Sequence, residues 1–349
     1  MAAGRKIGAS KVAGDIKSLK IQGARRIAKA AVEALASAAK KSGAKNADEL
    51  YSDLLVFADE LASARETEPM LRNYLDELLA VVRGRRGEGV AAIKQMLAKR
   101  QDEIVMRMEA SAKKIAAYGA ALVPNKGAVL IHCHSTTLMM MLKMAYEEGK
   151  RPKVYCTETR PLYQGRISAV ELANAGLDVT LIVDSAAGGL LAGSGKNEAA
   201  GGRGGGNAVG KIDVVFVGAD AITARGELLN KVGTYPIALA AKAAGVKLFS
   251  AAELHKYDAN TQGGRKEPVE IRGEGELADG KKMLLGMKAA GVKIINPAFD
   301  LTPPDLIGAY ITEIGIVKPQ DMRKVCEQTL RDLGPRPQAD SKAAELALG

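Results

Sequence analysis

Near residue 125 the hydrophobic pattern of this chain changes period, and that change limits the folds open to it. Upstream, apolar residues recur at helical spacing. Over residues 25–41 they fall at Ile27, Ala31, Leu35 and Ala39, which is one face of a helix. Similar stretches cover residues 47–61, 69–83, 89–99 and 101–118, the last with a stripe of Ile104, Met108 and Ile115. Downstream, short apolar runs at 128–132, 153–157, 179–183, 214–217, 246–251 and 292–295 alternate with helical stretches, and Ile311 and Thr312 suit a short edge strand. Strand and helix in series predict a parallel sheet covered on both faces. The chain therefore reads as α/β, with an N-terminal helical domain over 1–125 and a Rossmann-like domain with a mostly parallel sheet over 126–333. A polar, Pro-containing tail follows over 334–349. Ligands of such open sheets sit beyond the carboxyl ends of the strands, so residues there are the candidates for chemistry.

One segment breaks the alternation. Residues 185–210 hold ten of the 38 glycines, a composition that favours neither a helix nor a packed strand. Residues 192–210 read as a flexible Gly-rich insertion between two strands. The GGRGGG run lacks a strand immediately before it and a GK[ST] after it, so it does not match a P-loop. Composition removes several function classes. The apolar runs are far too short to span a bilayer, and the basic N-terminus is not followed by the apolar segment of a signal peptide. Three cysteines without CxxC spacing argue against a disulfide framework and fit a reducing cytoplasm. A formal charge of +10 admits nucleic acid, a membrane surface or a small anion as partner. Lys and Arg are scattered rather than interleaved with aromatics, which favours the small anion over nucleic acid or membrane.

Cys133 ends the run 128–132, in the segment His132-Cys133-His134-Ser135-Thr136-Thr137 just before a helical stretch. A thiol at a helix N-terminus is expected to have a lowered pKa, which makes it a better base or nucleophile. Ser135, Thr136 and Thr137 suit a helix cap or, with free backbone N–H groups, a phosphate. A small buried cysteine beside an ordinary cap accounts for the same residues. His132 and His134 suggest a metal, but neighbours on an extended segment point to opposite faces, and His255 is the only other histidine. A metal site is therefore not expected. Asp220 follows the run 214–217 on the ligand side, where it fits a general acid or base, or a helix cap. Gln22, Gly23, Ala24 and Arg25 open the first long helix, and Arg65, Asn230, Lys231 and Lys256 lie near other element ends. Together they compose an anion site; singly, each basic residue reads as a solvated charge.

Taken in order, the segments IQGARRIAKA, RETEPM, HCHSTT, TETRPLYQGR, VGADAI, NKVGTYPIALAAK and NPAFDLTPP resemble the motifs of one superfamily. It holds methylthioribose-1-phosphate isomerase, ribose-1,5-bisphosphate isomerase and the alpha, beta and delta subunits of translation initiation factor 2B. The segments span most of residues 20–318. HCHS with Cys133, the later Asp220, and NPAFDLTPPDLIGAYITEIGIVKP are similar to the archaeal bisphosphate isomerases. The methylthioribose-1-phosphate enzymes typically read N-T-G after the cysteine, where this chain has His134-Ser135-Thr136. Gln22 stands where Arg is common in the phosphate loop, and the Gly-rich insertion is unusual for the family.

The resemblance implies conversion of α-D-ribose 1,5-bisphosphate to D-ribulose 1,5-bisphosphate, in cytoplasmic nucleoside monophosphate breakdown that feeds RubisCO. It implies Asp220 as the acid that opens the ring and Cys133, as thiolate, as the base at C2. Gln22, Gly23, Ala24, Arg25, Arg65, Ser135, Thr136, Thr137, Asn230, Lys231 and Lys256 are implied as substrate contacts, with no metal or redox cofactor. A methylthioribose-1-phosphate isomerase and a non-catalytic regulatory subunit stay open as alternatives. The resemblance also implies homodimers assembled as a trimer of dimers. Size exclusion with light scattering should return a hexamer, and a monomer contradicts that expectation.

Overall fold

The computed structural model describes residues 11–193, 211–264, 269–278 and 280–331. Residues 194–210, most of the Gly-rich insertion, and the expected tail at 334–349 lie outside them. The described chain divides into two compact units, one of residues up to Glu109 and from Lys324, the other Ala110–Arg323.

The first unit is helical. It holds α1 (Lys11–Lys17), α2 (Ala24–Lys41), α3 (Ala47–Ser63), α4 (Pro69–Arg83) and the first part of α5 (Val90–Leu122). The α2 stripe of Ile27, Ala31 and Leu35 packs with α3 and α4 in an aliphatic core that includes Leu54, Leu71, Leu75 and Leu78. Each buried leucine or isoleucine is worth about 1.5–3 kcal/mol relative to exposure. Asn46 caps α3 by accepting the Glu49 N–H at 2.9 Å, and Pro69 opens α4, where a missing N–H costs nothing. The two helices expected at 89–99 and 101–118 are one 33-residue helix, α5. Neither Gly nor Pro interrupts Lys99–Gln101, and the buried stripe of Ile93, Leu97, Ile104 and Met108 keeps its phase across the join.

The second unit carries the sheets. After α5 come β1 (Ala128–His132), α6 (Thr136–Glu147), β2 (Lys153–Thr157), α7 (Gln164–Asn174), β3 (Asp178–Ile182), α8 (Ala186–Gly193) and β4 (Ile212–Val217). Next are β5 (Ala221–Thr223), β6 (Leu228–Lys231), α9 (Thr234–Ala243), β7 (Lys247–Ala251), β8 (Tyr257–Asp258) and α10 (Lys281–Ala289). The unit ends through β9 (Phe299–Thr302), β10 (Ala309–Thr312), β11 (Gly315–Val317) and the start of α11 (Met322–Arg331). Seven strands form the main sheet in the order β11-β10-β7-β4-β1-β2-β3, parallel except for the β10–β11 pair. This is the α/β, mostly parallel fold that the alternation of strand and helix calls for.

The strand order defines the site. From β1 the chain builds outward through β2 to β3, then returns to β4 on the other side of β1 and builds outward through β7 to β10. Adjacent strands β1 and β4 are paired from Val129–Val214 to His132–Val217, and the chain leaves them in opposite directions. Their carboxyl ends flank the crevice where open α/β sheets bind ligands.

Four further elements, besides α5, depart from the sequence reading. Residues 292–295 are not a strand; Val292 and Ile295 are exposed in the loop after α10. Ile311 and Thr312 are not on an edge, because β10 lies between β7 and β11. Residues 186–193 form α8 despite their glycines, anchored by buried Ala187 and Leu191 and packed on α9. Finally, β8-β5-β6-β9 make a second sheet, in that order, from strands of two to four residues. Strands that short cannot display a two-residue alternation.

Two contacts fix the corners of the main sheet, one at each edge. Lys150 donates its ammonium protons to Ala120 O at 2.6 Å, Ala121 O at 3.2 Å and Val123 O at 2.9 Å, satisfying the orphan carbonyls where α5 ends. Gly165 lets α7 close onto β2, since a Cβ there would stand 1.7 Å from the Thr157 carbonyl oxygen. Gly165→Ala should therefore cost about 3 kcal/mol, the upper end of ordinary overpacking, in denaturant unfolding. A variant as stable as the parent would show that this approach does not set the β2–α7 corner.

Candidate active site

The segments that follow β1 and β4 meet at the switch point. Cys133, directly after β1, has a left-handed φ of 68°, which turns the chain sharply toward α6. Ser135 then caps α6, its hydroxyl accepting the Leu138 N–H. From the β4 side, Gly218 comes so close that a Cβ there would lie 3.2 Å from Ser135 Cβ and 3.7 Å from Asn230 Oδ1. Asp220 follows, and its N–H donates to Leu229 O at 2.9 Å. It leads into β5 rather than a helix, so the cap reading of Asp220 does not hold.

Antiparallel pairing of β6 with β5 brings Asn230 and Lys231 alongside, and both are buried. The Asn230 amide donates to Thr234 Oγ1 at 2.9 Å. The Lys231 ammonium lies 4.9 Å from the centre of the Phe299 ring, a contact that stabilises a desolvated cation. Lys256, in the turn after β7, donates to the carbonyl oxygen of Ala219.

Cys133, Ser135, Asp220, Asn230, Lys231 and Lys256 thus gather at the carboxyl ends of β1 and β4. Thr136 is exposed at the first position of α6, and Thr137 is buried behind it. Gln22, Gly23, Ala24, Arg25 and Arg65 belong to the helical unit. There Gly23, with φ 87°, precedes α2, whose first residue Ala24 is buried and whose next is Arg25. The Gln22 amide donates to Leu19 O at 2.8 Å. Arg65 is not a solvated surface charge: it is buried between α3 and α4 with Thr67 and Glu68.

The thiol departs from the sequence expectation. Cys133 is half-buried, and burial pushes its thiol up to about 11; the Lys231 charge pulls it down, and Asp220 and Asp184 push it up again. Desolvation of the thiolate outweighs the helix N-terminus. The two flanking imidazoles brace the turn. His132 is buried, which lowers its pKa, and its ring nitrogens face Thr157 Oγ1 at 2.7 Å and Val232 O at 3.0 Å. His134 Nδ1 lies 3.0 Å from Ser168 Oγ, which donates to Cys133 O at 3.2 Å. Among the described residues no three His, Cys, Asp or Glu side chains are grouped to hold a metal ion.

Two acidic residues escaped the sequence reading. Asp184, beyond β3, accepts the N–H groups of Thr159 and Arg160 at 2.7 and 2.6 Å. Asp300 in β9 accepts from Gly233 N at 2.7 Å and Tyr235 N at 3.1 Å, closing the N-terminus of α9. Burial pushes the Asp300 carboxyl up to about 6 against the pull of these donors. Its place within NPAFDLTPP was the one signal available in the sequence.

A family model described as the initiation factor 2 subunit family matches residues 20–319. The chain is 37% identical to the ribose 1,5-bisphosphate isomerase of Methanocaldococcus jannaschii, over 90% of this chain and 92% of that one. It is 36% identical to the methylthioribose-1-phosphate isomerase of Pelotomaculum thermopropionicum, over 92% and 87%. Its structure is similar to the crystal structure of translation initiation factor eIF-2B from Pyrococcus horikoshii, with a TM-score of 0.69 at 26% identity, covering 89% of this chain and 97% of that one. The chain belongs to the initiation factor 2 subunit family. Within that family it is an isomerase, as both of these sequence relatives are.

Because burial dominates, Cys133 should alkylate slowly at neutral pH, at a rate that climbs toward a midpoint near 11. Lys231→Met should move that midpoint up and Asp220→Asn should move it down, followed by iodoacetamide labelling and peptide mass analysis. A parental midpoint at the ordinary free-thiol value of about 8.5 would contradict this account of the site.

Proposed function

We propose that this isomerase converts α-D-ribose 1,5-bisphosphate to D-ribulose 1,5-bisphosphate. The observation that carries the reading is the placement of a thiol and a carboxyl, Cys133 and Asp220, within electrostatic reach of each other and of Lys231 at the β1–β4 switch point. The choice of a bisphosphate rests on the His134-Ser135-Thr136 segment and on the relative from Methanocaldococcus jannaschii.

The substrate sets the chemical demand. Its C1 carries a phosphate, so the ring does not open as a free hemiacetal does, and the C1–O4 bond must break with a proton supplied to O4. Asp220 in its acid form supplies that proton. Cys133 as thiolate removes the C2 proton, and the freed electron pair becomes the C1–C2 double bond as the C1–O4 bond breaks. The enol then collapses: the C2 hydroxyl returns a proton to Asp220, and Cys133 delivers its proton to C1. Both side chains finish as they began.

Burial keeps the resting thiol protonated, so one proton first moves from Cys133 to the Asp220 carboxylate. That shift creates acid and base together and leaves the net charge beside Lys231 unchanged. The Lys231 cation stabilises the negative charge that develops at C1 and C2. Asn230, Lys256 and the Ser135, Thr136 and Thr137 turn are the proposed sugar and phosphate contacts at this edge. Gln22, Gly23, Ala24, Arg25 and Arg65 are proposed as substrate contacts on the family resemblance. The scheme uses no metal or redox cofactor. We place the reaction in the cytoplasm, in nucleoside monophosphate breakdown toward RubisCO, carried out by dimers assembled into a hexamer.

A second reading, the same chemistry on methylthioribose 1-phosphate, is favoured by the relative from Pelotomaculum thermopropionicum. A substrate panel followed by NMR separates the two. The bisphosphate should be turned over with a kcat/KM at least about tenfold above the monophosphate, a difference of roughly 1.4 kcal/mol. Cys133→Ser and Asp220→Asn should each lower kcat by about 10²–10⁴ with little change in KM. Preference for the monophosphate transfers the assignment to the second reading. Turnover of neither sugar by folded protein removes both.

A further inference from the structure

A series of buried hydroxyls joins His132 to the backbone of Cys133. His132 Nε2 faces the carbonyl oxygen of Val232 at 3.0 Å; a carbonyl only accepts, so Nε2 carries the ring proton. Burial holds the ring neutral, which leaves Nδ1 as an acceptor. The Thr157 hydroxyl, 2.7 Å from Nδ1, therefore donates to it. The Thr157 oxygen is then free to accept from the Thr159 hydroxyl, 3.2 Å away. Finally, the Thr159 oxygen accepts the Cys133 N–H at 3.0 Å.

The histidine fixes the direction of the Thr157 proton, and the Thr159 hydroxyl donates within Thr157, to Oγ1 at 3.2 Å and to the backbone carbonyl oxygen at 3.4 Å. His132, Thr157 and Thr159 are all buried, so water does not compete for these bonds. The ends of the series are themselves located. Gly233, with φ 108°, leaves room for the imidazole; a Cβ there would fall 2.9 Å from His132 Cε1. Asp184 holds the Thr159 N–H at 2.7 Å. Cys133 and Thr159 both occupy the left-handed region, with φ of 68° and 62°, where a non-glycine residue persists only if its surroundings hold it.

We infer that Thr159, backed by Thr157 and His132, is a positioning residue: it holds the Cys133 N–H in the left-handed turn after β1 and so sets where Sγ stands relative to Asp220 and Lys231. The kinetic consequence rests on the isomerase reading above, whereas the effect on the thiol does not.

The test compares Thr159→Val, which removes the hydroxyl and keeps the shape, with Thr159→Ser, which keeps the hydroxyl. One readout is the pH dependence of Cys133 alkylation by iodoacetamide, without substrate. The other is kcat and KM on whichever sugar phosphate the parent turns over. In Thr159→Val the loosened turn should admit water, lower the alkylation midpoint and speed labelling near pH 8 by at least about threefold. Its kcat should fall at least about tenfold with KM within about twofold, as a misplaced reacting group requires. Thr159→Ser should restore both.

Parental labelling in Thr159→Val overturns the inference, as does accelerated labelling with parental kcat, or a serine variant that behaves like valine. If the parent turns over no sugar phosphate, the functional reading fails and the labelling comparison alone decides the inference. If Thr159→Val does not fold, Thr157→Val breaks the same series one step further back and takes the same measurements.

Discussion

Parallel pairing of β1 with β4 is the constraint on which the rest of the second unit depends. Both strands bury an unbroken apolar run, Val129–Ile131 in one and Val214–Val217 in the other, which is what a strand covered on both faces requires. Their register ends with His132 opposite Val217. The residues that leave the sheet at that point come from two stretches of chain more than eighty residues apart, and they include Cys133 on one side and Asp220 on the other. A slip of one residue in β4 would reverse its faces and carry the exposed Asp213 inward. The position of the candidate site follows from strand order and register, before any detail of its side chains.

Within the crevice, burial and charge oppose each other. Desolvation keeps the Cys133 thiol protonated, and Lys231, held against Phe299, is the group that offsets it. The same exclusion of water that disfavours the thiolate strengthens every charge interaction around a bound sugar phosphate. The resting thiol therefore stays protonated beside a buried cation. The backbone N–H of Cys133, taken up by Thr159, keeps that arrangement in a conformation that few cysteines adopt.

Legibility in the sequence followed the range of the interaction. The runs at 128–132 and 153–157 coincide with β1 and β2, because the buried apolar cores Ala128–Ile131 and Val154–Cys156, flanked by turn residues, specify a strand locally. Cys133 and Asp220 could be placed at strand ends for the same reason. The sense of the thiol shift was not legible, since it depends on packing and on Lys231, brought in by the β5–β6 pairing a hundred residues away. The second sheet, the continuity of α5 through Lys99–Gln101 and the role of Asp300 at α9 likewise arise from contacts between distant segments. The helix α8 shows the converse: two buried anchors, Ala187 and Leu191, override the glycines between them.

A crystal structure of the protein with D-ribulose 1,5-bisphosphate, collected under reducing conditions, tests the central claim most directly. The expected density places C1 and C2 of the sugar in contact with Cys133 Sγ and the Asp220 carboxyl, beyond the carboxyl ends of β1 and β4. Sugar bound elsewhere on the chain, or bound at that edge with either side chain turned away from C1 and C2, would contradict it.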